Sequence, residues 1–330
     1  MRFDLNEKIS VFSTVNGFYI RDGFVFDSAG KLKHNIYDVI VIRNPEDATA
    51  GRIIPHTSRS FEEYIALINE EKIERAYIYA DDLSFISRCP TLKDFYICPP
   101  NTACDGYDYS PLYNIPEIRE LSCQTVYGSK EEKSTSIDYS NISGLVDLGV
   151  CGKGHLNYSS VETLQNLFLS NIKNRDNLRQ ISKSDKLKSL SIMQCGFKSL
   201  SGIEQYQQLQ SLSLDYNRSL DDITNLNKIA YSLRALSIES CPKITDFSCL
   251  ETLTNLEHLD LNGSNSLPDL KFLRAMKKLK TFTFSMNVVD NDLTPALDVP
   301  YASCSKAKKT YNLKDKDLPK QRPTAPFEIV

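Results

Sequence analysis

No stretch of this 330-residue chain approaches the run of about 18 apolar residues that a bilayer span needs. Met1-Arg-Phe-Asp-Leu-Asn-Glu-Lys8 also lacks an apolar segment behind a basic start. These absences predict a cytoplasmic protein with no membrane contact. An excess of one charge is missing too: 39 Lys and Arg stand against 42 Asp and Glu, a net charge of -3, so nothing in the balance points to direct contact with nucleic acid. Cysteine occurs nine times, at 89, 98, 104, 123, 151, 195, 241, 249 and 304, but never as Cys-x-x-Cys, and His34, His56, His155 and His258 are scattered. Zinc ligation needs closer spacing than that. The expectation is reduced thiols, with no metal and no cofactor.

Catalytic signatures are missing as well. There is no Gly-x-Ser-x-Gly elbow, no His-Glu-x-x-His pair and no Gly-x-Gly-x-x-Gly fingerprint. Gly149-Val-Cys-Gly-Lys-Gly154 has a superficial phosphate-loop look, but it lacks the spacing and the Ser or Thr of that motif and reads better as a turn. No catalytic residue is expected, and the chain reads as a non-enzyme.

What is there is repetition. Leu187-Lys-Ser-Leu190-Ser-Ile192 returns as Leu209-Gln-Ser-Leu212-Ser-Leu214, Leu233-Arg-Ala-Leu236-Ser-Ile238, Leu256-Glu-His-Leu259-Asp-Leu261 and Leu279-Lys-Thr-Phe282-Thr-Phe284, with starts 22, 24, 23 and 23 residues apart. Such a period means a solenoid. Within each phrase the last two apolar residues alternate with polar ones, as in a strand with one buried face. The ninth position holds Cys195, Asn217, Cys241, Ser264 and Asn287, small side chains suited to bonding the neighbouring coil where the chain turns. Apolar residues then recur at intervals of three (Leu200 and Ile203, Leu220 and Ile223, Ile244 and Phe247, Leu267 and Leu270). So few residues remain per unit that they predict short turns or 3-10 pieces rather than long helices.

These residues resemble the leucine-rich repeat, most closely the short bacterial repeats of the internalin type. Thr245-Asp-Phe-Ser-Cys-Leu-Glu-Thr-Leu-Thr-Asn-Leu-Glu-His-Leu-Asp-Leu261 looks much like that family's unit. The resemblance implies an α/β solenoid with a parallel sheet on the concave face and short 3-10 or turn elements on the convex face. Weaker copies extend it backwards through Ile73-x-x-Ala76-x-Ile78, Leu92-x-x-Phe95-x-Ile97, Ile118-x-x-Leu121-x-Cys123, Leu145-x-x-Leu148-x-Val150 and Leu164-x-x-Leu167-x-Leu169, making about ten repeats over 73–288. Length variation between them predicts loops at Cys98–Tyr109 and Tyr127–Ser134.

Residues 1–72 do not repeat. Val, Ile, Phe and Tyr within Lys8–Ile20, Phe24–Phe26 and Ile36–Ile42 predict a β-rich unit with a turn at Asp27–Gly30. Ser60-Phe-Glu-Glu63 has capping-box spacing before an apolar stripe of Phe61, Tyr64, Ile65 and Ile68, predicting a helix from about Phe61 to Glu71. Together they read as a cap over the open end of the solenoid. Residues 289–330 read as a second cap followed by a lysine-rich, solvated tail from Ser305 to Arg322.

Function is expected where side chains leave the strands on the concave side. The third, fifth, seventh and eighth positions of the units hold Asp94, Glu120, Asp147, Asp215, Glu239 and Asp260 against one certain cation, Arg75. His258 and the rings of Tyr77, Tyr79, Tyr96, Phe168 and Tyr216 join them. Rings beside carboxylates serve as anchors and steering charges in protein binding. The expectation is a non-catalytic protein using an acidic and aromatic concave face to hold a basic protein partner, an immunity or antitoxin-type inhibitor being one form. The internalin resemblance implies an alternative, an exported effector or surface adhesin acting on a host protein. Nothing in the sequence fixes the oligomeric state.

Overall fold

The alternation of apolar and polar residues becomes, coil after coil, a five-residue strand with two side chains buried and three half-exposed, as in Ser189–Met193, Ser211–Asp215, Ala235–Glu239 and His258–Asn262. The computed structural model describes residues 60–99, 107–124, 136–173 and 176–323, with the strand backbones at 19–21, 24–26, 32–34 and 40–43. The turn expected at Asp27–Gly30, the loop at Tyr127–Ser134 and most of the Cys98–Tyr109 loop lie outside these residues. The chain divides into two compact units, 1–157 and 158–330.

In the first unit β1 (Tyr19–Arg21), β2 (Phe24–Phe26) and β3 (Leu32–His34) form an antiparallel sheet. β4 (Ile40–Arg43) opens a parallel ladder that continues through β5 (Arg75–Tyr79), β6 (Asp94–Ile97), β7 (Glu120–Gln124) and β8 (Asp147–Cys151). The helix α1 spans Phe61–Glu71, and Ser60 and Glu63 make the reciprocal capping box that the sequence predicts. Tyr64, Ile65, Leu67 and Ile68 are buried, while Phe61 stacks on Phe85 at 5.2 Å between ring centres. The degraded repeats keep the ladder because their key positions stay apolar: Leu92, Phe95, Ile97, Ile118, Leu121, Cys123, Leu145, Leu148 and Val150 are all buried. Gly149 lies inside β8 rather than in a phosphate loop, and a β-carbon there would come within 2.5 Å of the Ser122 hydroxyl.

The second unit carries β9 (Asn166–Ser170), β10 (Ser189–Met193), β11 (Ser211–Asp215), β12 (Ala235–Glu239), β13 (His258–Asn262), β14 (Thr281–Phe284) and β15 (Tyr301–Cys304), all parallel neighbours in chain order. Leu190, Leu212, Leu236, Leu259 and Phe282 pair in one row, and Ile192, Leu214, Ile238, Leu261 and Phe284 in the next. In four coils the eighth residue follows the strand in a left-handed conformation: φ is 57° at Asn171, 53° at Gln194, 56° at Tyr216 and 53° at Ser240. Each of those N–H groups still donates to the next coil, for example Tyr216 to the Glu239 carbonyl at 2.8 Å. The turn therefore costs no inter-coil hydrogen bond.

Below the strand, Asn217 is fully buried, donating to the Ile192 carbonyl at 2.8 Å and accepting from the Cys195 N–H at 2.9 Å. Cys195 and Cys241 donate their thiols to Leu169 and Leu214 carbonyls. Two ninth positions depart from the expectation. Gly263, at φ 140°, shifts its turn, so Asn265 rather than the exposed Ser264 enters the interior and donates to the Cys241 and Ile244 carbonyls. In the next coil Met286 is buried and Asn287 turns out to meet Ser266 and Lys308.

The side opposite the strands is built from 3-10 turns at Ile203–Gln205, Thr224–Ile229, Ser248–Thr252, Lys271–Ala275 and Thr294–Asp298, with the apolar pairs predicted to face inward all buried. A second motif, absent from the sequence reading, starts these turns in both units. Asp82, Asp108, Asp138, Asp222, Asp246, Asp269 and Asp292 each accept the N–H two residues on, at 2.8–3.0 Å. These aspartates fix turns and do not face the strands.

After Phe284 the ladder continues, without the leucine pattern, into β15. The lysine-rich segment then folds back: Tyr311 and Leu318 are buried, and residues 319–321 run antiparallel along β15, with Ala302 N–H on the Pro319 carbonyl and Gln321 N–H on the Pro300 carbonyl. Its lysines are exposed, as expected, but the backbone that carries them is tied down.

Candidate protein-interaction face

In the first unit the strand register places Arg75, Asp94, Glu120 and Asp147 side by side at the strand starts. The sequence predicts an exposed acidic row here; Glu120 and Asp147 are partly exposed, but Asp94 is buried. Asp94 is 6% exposed and lies 3.2 Å from both the Arg75 and the Arg119 guanidinium. Arg75 also reaches Glu120 at 2.9 Å, and Arg119 reaches Glu74 at 2.7 Å. These five groups, with Glu71, Lys72 and Asp147, line an open cleft of about 720 Å³. Burial raises the Glu120 carboxyl above its usual range, Arg75 opposing this and Asp147 and Asp94 adding to it. The predicted aromatics do come together: Tyr96 packs against Tyr77 at 5.3 Å and Tyr79 at 6.3 Å between ring centres. Desolvation is the main cause that raises the Tyr77 phenol, with the Glu120 charge second.

In the second unit Asp215 and Glu239 are direct cross-strand neighbours at the ends of β11 and β12, and Asp260 lies on β13 in the row of Ser213 and Ser237. Asp215 accepts from Ser213 at 2.7 Å, and Asp260 from Thr283 and Asn262. The Tyr216 hydroxyl donates to Glu239, leaving its ring 44% exposed. Among the described residues none of the three carboxylates forms an ion pair. Burial is the leading cause that lifts the Asp215 and Asp260 carboxyls above their ordinary range. His258 lies beside Asp260 in a shallow trough of about 170 Å³ whose floor is Ser211, Ser213, Ala235 and Ser237, and desolvation lowers its pKa. Phe168 shares the row of Ser191 and Ser213 but stands on β9, two strands from the carboxylates.

The sequence reading missed the second position of each unit, immediately before the strand. It holds Glu74, Lys93 and Arg119 in the first unit and Lys188, Arg234, Glu257 and Lys280 in the second. Arg234 reaches Glu257 at 2.6 Å and Lys280 reaches it at 2.5 Å. The Arg234 hydrogen bond leads the causes that hold the Glu257 carboxyl at about 2. Seven of the ten second positions are charged, the others being Val146, Gln165 and Gln210, and a reading that counted the residue before the strand as part of the face would have found them.

The eight described cysteines are free thiols. Among the described residues no group of three or more His, Cys, Asp or Glu is arranged to hold a metal ion, and no helix is long and apolar enough to cross a membrane.

In-register parallel strands every 19 to 27 residues, a buried apolar ladder and 3-10 turns on the far side define the fold as a leucine-rich repeat solenoid. No protein-family model matches the chain, and no curated protein matches it in sequence. Among solved structures it is similar to internalin C2 of Listeria monocytogenes, with 24% identity over 46% of this chain and 70% of that one and a TM-score of 0.35. It is similar to the internalin InlF of the same organism, with 18% identity over 72% and 76% and a TM-score of 0.37. A leucine-rich repeat protein of Leptospira interrogans, LIC12759, aligns at 16% identity over 82% and 73% with a TM-score of 0.49.

Proposed function

We propose that this protein is a non-catalytic protein-binding solenoid whose acidic and aromatic sheet face holds a basic protein partner. The observation that carries this reading is the set of Asp215, Glu239 and Asp260, three carboxylates on one open face with no cation paired to any of them among the described residues. Two of them are raised by desolvation, so an incoming Lys or Arg gains more there than at a fully hydrated carboxylate. Tyr216 adds an exposed ring tied to Glu239, suited to covering a cation and excluding water. The first unit by itself offers less unpaired charge, since Arg75 and Arg119 already neutralise Asp94 and part of Glu120, and it presents the Tyr77, Tyr79 and Tyr96 cluster instead. A basic toxin held by its inhibitor is one partner class that fits.

The test is an affinity retention experiment from the source cell with the purified protein and its Asp215→Lys/Glu239→Lys/Asp260→Lys variant, read by mass spectrometry. The expected result is a basic protein retained by the parent and lost by the variant. A partner held equally by both refutes the role given to the three carboxylates. Retention only from host-cell extract moves the reading to an exported effector or adhesin.

A further inference from the structure

The two charged rows of the second unit stand on opposite sides of a single open sheet face. At the strand ends lie Asp215 and Glu239, with Asp260 on the floor nearby. Before the strand starts lie Lys188, Arg234 and Lys280, with only Glu257 among them to offset the positive charge. Between the rows the side chains are small on four of the five strands, Ser189 and Ser191, Ser211 and Ser213, Ala235 and Ser237, Thr281 and Thr283, while β13 brings His258 and Asp260 to the floor. The face is therefore a trough with a cationic wall and an anionic wall.

Five residues separate the walls along each strand, which is roughly 16 Å at the strand rise. Across the strands, β10 to β14 span four spacings, or about 19 Å. A chain lying along the trough meets opposite charge on its two flanks, and one that carries cations on both flanks meets Arg234 and Lys280 with like charge. An extended chain aims alternate side chains at the two walls and has none left for the floor between them, so the middle of that width stays empty. An α-helix of about 10–12 Å diameter fills it, and about 13 residues cover its length.

We propose that the second unit's trough docks an α-helix of the partner protein whose two flanks carry opposite charge, cations facing Asp215 and Glu239 and carboxylates facing Arg234 and Lys280. This rests on the protein-binding reading above and adds the shape and charge pattern of the bound segment. The small floor lets the helix approach closely, and Asp260, with its carboxyl turned to Thr283 and Asn262, receives a central donor. The carboxylate flank is what a purely basic partner lacks.

The experiment is fluorescence anisotropy with a labelled alanine-based helical peptide of about 18 residues, long enough to hold its helix. One flank carries Arg and the other Glu. The first control has the same composition with the two charges mixed around the helix, and the second replaces every Glu with Gln, leaving a cationic flank alone. The two-flanked peptide is expected to bind the full chain at least about tenfold more tightly than the mixed one. Arg234→Glu/Lys280→Glu should lose that binding, and the milder Arg234→Gln/Lys280→Gln should weaken it without disturbing the fold by circular dichroism. Adding Asp215→Lys/Glu239→Lys to the first pair should restore it, because a helix turned end for end meets the exchanged walls. Equal binding of the mixed peptide, or indifference to reversal of the cationic wall, overturns the inference. Equal or tighter binding of the Gln peptide, dependent on Asp215 and Glu239 alone, also overturns it while leaving the basic-partner reading standing. Silence from all three peptides overturns it too, and the retention experiment then decides the broader reading separately.

Discussion

Asn217 holds two coils together with one side chain, and its removal should be felt in a graded way. Its carboxamide is fully buried, with the nitrogen on the Ile192 carbonyl at 2.8 Å and the oxygen on the Cys195 N–H at 2.9 Å. Asn217→Ala leaves a buried donor and a buried acceptor unsatisfied, each costing about 1–3 kcal/mol, so the expected loss is about 3 kcal/mol or more. Asn217→Cys is predicted to cost about half as much. Cys241, at the same place one coil later, donates its thiol to the Leu214 carbonyl at 3.3 Å, so a cysteine at 217 can keep the bond to Ile192 and strands only the Cys195 N–H. Urea unfolding followed by circular dichroism gives the two losses, provided the slope against denaturant stays that of the parent. Amide exchange at Cys195 should be slow in the parent and fast in both variants. If both variants unfold within about 1 kcal/mol of the parent, the buried bonds do not carry the inter-coil strength assigned to them.

Three further outcomes follow from the same geometry. Tyr216→Gly relieves a left-handed residue at φ 56° worth about 1–2 kcal/mol. It also loosens the unfolded chain and loses an exposed hydrogen bond, so stability should change by less than about 1 kcal/mol while affinity for a retained partner falls; a large melting shift would contradict this. His155 is held neutral, with Nε2 donating to the Cys151 carbonyl at 3.0 Å and Nδ1 accepting from Tyr139 at 2.8 Å, and burial lowers its pKa to about 4. The unfolded chain takes up this proton at higher pH than the folded one, so the contribution is whole above about pH 6.5 and is lost as pH falls towards 4, by up to roughly 3 kcal/mol. An NMR titration of His155 with a midpoint near 6.5 would refute it. Asp222→Ala removes the acceptor for the Thr224 N–H at 2.9 Å and should cost about 1 kcal/mol in urea unfolding, whereas Asp222→Asn should restore most of it.

The ladder was legible because each parallel coil buries apolar residues at its first, fourth and sixth positions, so Leu187 to Phe284 announce themselves by period alone. The fainter copies, such as Ile118, Leu121 and Cys123, could be traced for the same reason. β15 could not, since Tyr301-Ala-Ser-Cys304 buries only Ala302 and Cys304 and shows no leucine. Ser264 and Asn265 exchanged roles because one glycine at φ 140° shifts a turn by a residue, which spacing does not reveal. On the face, rows in register were foreseeable, but pairing was not. Asp94 looks like any exposed carboxylate until Arg75 and Arg119 close on it from the neighbouring coils, 19 and 25 residues away in the chain. The charge on the unit's second position escaped because that residue precedes the strand while its side chain still borders the sheet.

The antiparallel run of residues 319–321 along β15 bears on how the assembly stops. A stack of parallel coils is in effect a one-dimensional crystal, each strand templating the next, and its last strand offers the same template to any other chain. Here the final template is occupied by a strand of reversed polarity that includes Pro319, which has no N–H to donate. Growth by addition of another coil is blocked at that end by direction as well as by occupancy.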